Sequence, residues 1–232
     1  MKAFKTIFGI GACIGILAAS IGSISAQVYT GTLAGLVASG GTLTIGDKVF
    51  SGFSYQSSGL TTFDPTQINV TASESGGVDY LTWTGSISLT SSSSALGDLL
   101  LNYVVTSTGG QINMIDQSYT LGNAINGALA VDETVSTSSG GVPIVASSHL
   151  DINTPSQTQG PTLIINPAQS VLYVTKDISL AVAPPVGAGG SVTITQVQQS
   201  FHQVPEPTVM ALGSLSGGLL LFLRLRRQAR RN

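Results

Sequence analysis

The chain has 232 residues with 28 glycines, 42% hydrophobic residues and only 9% charged ones, which excludes a disordered chain, since disorder pairs low hydrophobicity with high charge. Seven of the nine basic residues sit at the two ends, so residues 27–203 hold Lys48 and Lys176 against ten acids, a net charge of −8 that repels phosphate backbones and excludes nucleic-acid binding. The single cysteine, Cys13, also lies near the N-terminus, which leaves the centre without a disulfide framework, a cysteine nucleophile or a thiolate metal site.

The N-terminal segment, residues 1–26, reads as a secretory signal peptide. Lys2 and Lys5 form a basic start, Phe4 to Ala19 an apolar run, and Ser23, Ser25 and Ala26 a small-residue exit suited to signal peptidase after Ser25 or Ala26. An uncleaved anchor and a lipoprotein signal around Ile10-Gly11-Ala12-Cys13 are the competing readings.

From residue 27 to residue 203 the pattern is that of strands. Val49, Ser51, Phe53 and Tyr55 give a weak alternating stripe. Leu81, Trp83, Ile87 and Leu89, with Gly85 in line, give a strong one, and Tyr80, Thr82, Thr84, Ser86 and Ser88 fall on its other face. Leu99, Leu101, Tyr103 and Val105 follow, with Ser94–Asn102 the best helical alternative in the chain. A last stripe runs Leu172, Val174, Ile178, Leu180 and Val182, with Lys176 intruding. Period-two alternation with one apolar and one Ser/Thr face predicts antiparallel sheets packed on one side, and two such sheets make a β-sandwich. The expected core is Leu81, Trp83, Leu101, Val105, Leu172, Val174, Ile178 and Leu180. Gly-rich clusters at 39–41, 75–77, 108–110, 138–141 and 187–190 mark turns. Asn153 to Pro167, with three prolines, reads as a surface loop, and no convincing amphipathic helix is present.

Chemistry-bearing constellations are sparse. Asp132 and Glu133 are adjacent, so in a strand they point to opposite faces and form no same-face acid/base pair. His149 and Asp151 could be half a metal site; a solvated strand face is the plainer reading. His202 reads as a linker residue. Asp47, Asp64, Asp79 and Asp116 offer the hard oxygen ligands that calcium takes, but no dense run gathers them, so no cofactor is expected. Trp83 with Tyr80 opposite could supply a sugar-stacking aromatic surface, although Trp83 aligns with the core stripe.

The C-terminal segment, residues 204–232, has three parts in order: Val204-Pro205-Glu206-Pro207, an apolar stretch from Thr208 to Leu223, and a basic cluster of Arg224, Arg226, Arg227, Arg230 and Arg231. The prolines forbid a helix through the first part. The apolar stretch is near the lower length limit for a transmembrane helix, and the arginines stay cytoplasmic by the positive-inside rule. This order resembles the PEP-CTERM sorting tail of Gram-negative bacteria. The resemblance implies secretion, inner-membrane retention through the helix, processing by an exosortase-type membrane protease, and a role in extracellular polysaccharide or biofilm. Lys176-Asp177-Ile178-Ser179-Leu180 and Gln199-Ser200-Phe201-His202-Gln203 also resemble passages upstream of that motif in one recurring type of such proteins.

The expected protein is therefore a non-catalytic exported surface or matrix protein. The alternatives are a carbohydrate-binding or adhesive module with a defined ligand, and a glycoside hydrolase whose carboxylates the fold assembles. Expected partners are the secretion machinery, signal peptidase, the sorting protease, and extracellular polysaccharide.

Overall fold

The computed structural model describes residues 28–152 and 160–204. The signal segment, Pro205, Glu206, Pro207, the apolar stretch and the terminal arginines lie outside them; Val204 is the last described residue. Twelve strands and one helix are present: β1 (Val28–Thr32), α1 (Leu33–Ser39), β2 (Leu43–Ile45), β3 (Lys48–Ser58), β4 (Asn69–Ser75), β5 (Val78–Ser91), β6 (Ala95–Ser107), β7 (Gln111–Ile125), β8 (Gly127–Ser136), β9 (Ile144–Ile152), β10 (Leu163–Gln169), β11 (Val171–Val182) and β12 (Gly190–Val204). They form two six-stranded antiparallel sheets. The first runs β1-β4-β5-β12-β7-β10 and the second β2-β3-β6-β11-β8-β9.

The core lies between the sheets, where the predicted stripes meet. Leu81, Trp83, Leu101, Val105, Leu172, Val174, Ile178 and Leu180 are all buried. Trp83 stands 5.3 Å from Tyr103, centroid to centroid, and Phe50, Phe53 and Phe201 complete an aromatic cluster around Tyr103. Such pairs add to the burial of apolar area that drives the two sheets together. Trp83 is thus a core residue and presents no stacking surface.

Three expectations are corrected. In β3 the interior residues are Lys48 and Phe50, then Phe53, while Val49 and Ser51 lie only partly buried on the other face. The pairing with β6 slips between Ser51 and Ser54, and Gly52 takes φ of 62° there; this bulge flips the alternation, which an uninterrupted period-two reading misses. A short helix, α1, does exist. Thr32 caps it by accepting from the Gly35 N–H at 3.1 Å, and Gly40 ends it in the left-handed region. At seven residues it is too short to show a periodic face. Ser94–Asn102 lies almost wholly in β6, as the stripe Leu99, Leu101, Tyr103 and Val105 predicts, and the helical alternative falls away. The segment expected as a loop up to Pro167 contains most of β10, where Pro167 is tolerated because β10 is an edge strand.

The Gly-rich clusters fall at connections as expected; Gly76 and Gly77, both at positive φ, turn β4 into β5.

Candidate functional site

Both lysines of residues 27–203 are fully buried. Lys176 on β11 lies directly opposite Glu133 on β8, and the two form an ion pair between the sheets. Its ammonium also donates to Gln117 Oε1 at 2.9 Å and to the Tyr119 hydroxyl at 2.8 Å, both on β7. Gln199 on β12 donates to Glu133 Oε1 at 2.6 Å and accepts from the Tyr103 hydroxyl at 2.5 Å. Burial alone works against the ammonium, but the negative charge of Glu133 more than offsets it and raises the Lys176 pKa. Lys48 is held by Asp47 at 2.5 Å and Asp79 at 3.3 Å. Burial pushes Asp47 up, yet hydrogen bonds from Lys48, Gln203 and Ser107 win and bring it to about 2. The Lys176 cluster is closed, whereas at Lys48 the Asp47 side chain remains a quarter exposed.

The open polar surface is the outer face of the first sheet. There β5, β12 and β7 run side by side in register. Tyr80, Ser200 and Asp116 form one row across the strands, and Thr82, Gln198 and Ser118 the next. Gln198 donates to Thr82 Oγ1 at 3.1 Å and accepts from Ser118 at 3.4 Å. Thr162 donates to Asp116 Oδ1 at 2.5 Å, and His202 Nε2 stands 2.9 Å from Asp116 Oδ2. Together with Gly160 these strands line a groove of about 270 Å³. Side chains already tied to one another lose little freedom when a ligand arrives. The groove offers an aromatic ring, a carboxylate, an amide and hydroxyls, which is a set able to exchange hydrogen bonds with a polyol while packing on its apolar edge.

Two of the further hollows lie on the outer face of the second sheet. One, of about 390 Å³, has Tyr173, Thr175, Asn102 and Ser54 among its lining residues. The other, of about 300 Å³, is floored by Ala128, Ala130 and Ala181 and edged by Leu96, Asp98 and Asp151. Near it, burial first, then a hydrogen bond shared with Asp98 and the charges of Asp98 and Asp132, push Asp177 up to about 6.

The predicted residues fall as follows. Asp132 faces outward and Glu133 inward, as their adjacency requires. His149 bridges two aspartates, with Asp132 at 2.7 Å and Asp151 at 3.3 Å, and its pKa is raised, chiefly by the hydrogen bond to Asp132. Among the described residues no group of three or more acids, histidines and cysteines is arranged to hold a metal ion. Of the four acids considered for calcium, Asp47 and Asp79 meet at Lys48, Asp64 accepts from Thr66, and Asp116 lies in the groove. His202 corrects the linker expectation: it belongs to β12 and is anchored to Asp116. Gln198, Ser200 and Ser118 were missed, although Gln198 and Ser200 alternate with buried Val197, Gln199 and Phe201, and Ser118 lies between buried Gln117 and Tyr119.

No protein-family model matches the sequence, and no curated protein matches it either. Among solved structures, the chain is similar to a carbohydrate-binding module in complex with β-1,4-galactotriose, at a TM-score of 0.30 and 9% identity, covering 62% of this chain and 86% of that one. It is also similar to a structure described as a basis for promiscuous specificity in carbohydrate-binding modules of the β-sandwich superfamily, at 0.32 and 12%, covering 63% of this chain and 56% of that one.

Proposed function

We propose that this protein is a non-catalytic, exported glycan-binding β-sandwich that works at the cell surface or in the extracellular matrix. One observation carries the reading: the groove on the outer face of the first sheet, where Tyr80 converges with Asp116 and Gln198, the latter two already held by Thr162 and Thr82. A glycan array with the full chain tests it. A saturable, selective signal that falls about tenfold in Tyr80→Ala supports the groove, since an aromatic contact is worth about that factor. A flat array points instead to a matrix scaffold with no selective ligand.

The tail supplies the route. The order Val204-Pro205-Glu206-Pro207, apolar stretch, Arg224 to Arg231 supports sorting through the inner membrane and release by an exosortase-type protease. Mass spectrometry of the mature protein should find its end near Pro205-Glu206-Pro207. A mature form still ending at Asn232, in a host with the matching protease, makes the tail a plain anchor. Glu206→Ala should leave insertion intact and slow the cut, because the acid lies outside the apolar span.

A further inference from the structure

Sequence alone counts two lysines and no arginine in residues 27–203. The fold removes both from the surface: Lys48 and Lys176 are 0% exposed, and each is neutralised by buried or half-buried carboxylates. Among the described residues, the surface therefore carries acids with no lysine or arginine to answer them. The two imidazoles do not change this. His149 lies between Asp132 and Asp151, and His202 lies against Asp116, so any proton either takes up is matched by a carboxylate already in contact.

Within the groove the same imbalance holds. Asp116 places a carboxylate among neutral groups, namely Tyr80, Ser118, Gln198 and Ser200. A carboxylate accepts readily from sugar hydroxyls, whereas a uronate or sulfate ester brought there meets a like charge with no lysine or arginine to offset it, the His202 imidazole being held by Asp116 itself.

We infer that the groove recognises uncharged glycan chains and excludes uronate-bearing and sulfated ones, with Asp116 the residue that sets the exclusion. This rests on the glycan-binding reading above. The charge that excludes an acidic sugar comes from Asp116 at short range and from the acids of both outer faces at longer range. The longer-range part is screened within about 10 Å at 0.1 M salt and about 3 Å at 1 M.

The test is competition on the full chain. Fluorescent neutral hexaoses of glucose, mannose or galactose serve as tracers, and each is displaced by its unlabelled self or by the uronate of the same backbone and linkage. Competition reads the groove alone, so uronate attracted to the basic ends of the chain does not register. At low salt each uronate should displace the tracer at least tenfold more weakly than its neutral counterpart, and the gap should narrow in 1 M salt. In Asp116→Asn, which keeps the shape of the side chain, the gap should also shrink at low salt. A uronate that competes as well as its neutral partner overturns the inference while leaving the glycan reading standing. A gap that is unchanged in both Asp116→Asn and high salt overturns it too, since the discrimination would then be steric. If no neutral tracer binds at all, the glycan reading itself falls, and the inference with it.

Discussion

Lys176 is the residue that most separates this sandwich from an ordinary apolar one. Its place in the stripe Leu172, Val174, Ile178, Leu180 looks like an interruption, yet its side chain turns inward with its neighbours and meets Glu133. Taking one partner away leaves a buried charge unanswered. Lys176→Met should cost about 3–5 kcal/mol, and pairing it with Glu133→Leu should recover part of that loss, read by denaturant unfolding. Trp83→Ala should cost about 3–5 kcal/mol, because its ring is buried against Tyr103. Asp177 and Asp47 act in opposite directions with pH. Asp177 rises from its usual 3.8 to about 6 in the fold, so ionising it costs the native state. Its effect on stability is absent below about pH 4, grows as pH climbs from about 4 to 6, and stays at its full unfavourable value above that. Asp47 falls from 3.8 to about 2, so its contribution is present above about pH 4 and lost as pH drops toward 2. Thermal unfolding across pH 2–8 should show both slopes, and Asp177→Asn should remove only the upper one.

Among the elements, β5 and β3 show how far alternation can be trusted. In β5 the apolar residues keep one face from Leu81 to Leu89, and Gly85 lies in line with them. A Cβ at Gly85 would stand 2.9 Å from Gln67 O and 2.5 Å from Ile68 Cδ1, so the segment entering β4 packs directly over it. Gly85→Ala should therefore destabilise the fold by about 1–3 kcal/mol, measurable as a drop in denaturation midpoint. In β3 the bulge at Gly52 swaps the faces, so Phe50 and Phe53 both enter the core although three positions apart. Alternation identifies a strand well; it fixes the inward face only while the ladder is unbroken.

Across the described residues, charge is sorted radially. Lys48 and Lys176 are inside and most of the acids outside, so a protease that needs lysine or arginine finds no accessible site among the described residues of the native protein. Trypsin under native conditions should trim the basic ends and leave that core intact, whereas unfolding should expose Lys48 and Lys176 together. Rapid native cleavage after either lysine, read by mass spectrometry, would contradict their burial. The sequence by itself determined the class of the fold, the core residues of the unbroken strands β5, β6 and β11, and the turn positions, because those follow from local alternation and glycine placement. It also determined the acidic balance of the centre and the three-part order of the tail. Only the tertiary structure decided which lysines meet which carboxylates, since Lys176 and Glu133 are distant in sequence and become neighbours through the pairing of β11 with β8. The groove has the same origin: Tyr80, Asp116 and Gln198 come from three strands far apart in the chain, and antiparallel register alone sets them side by side.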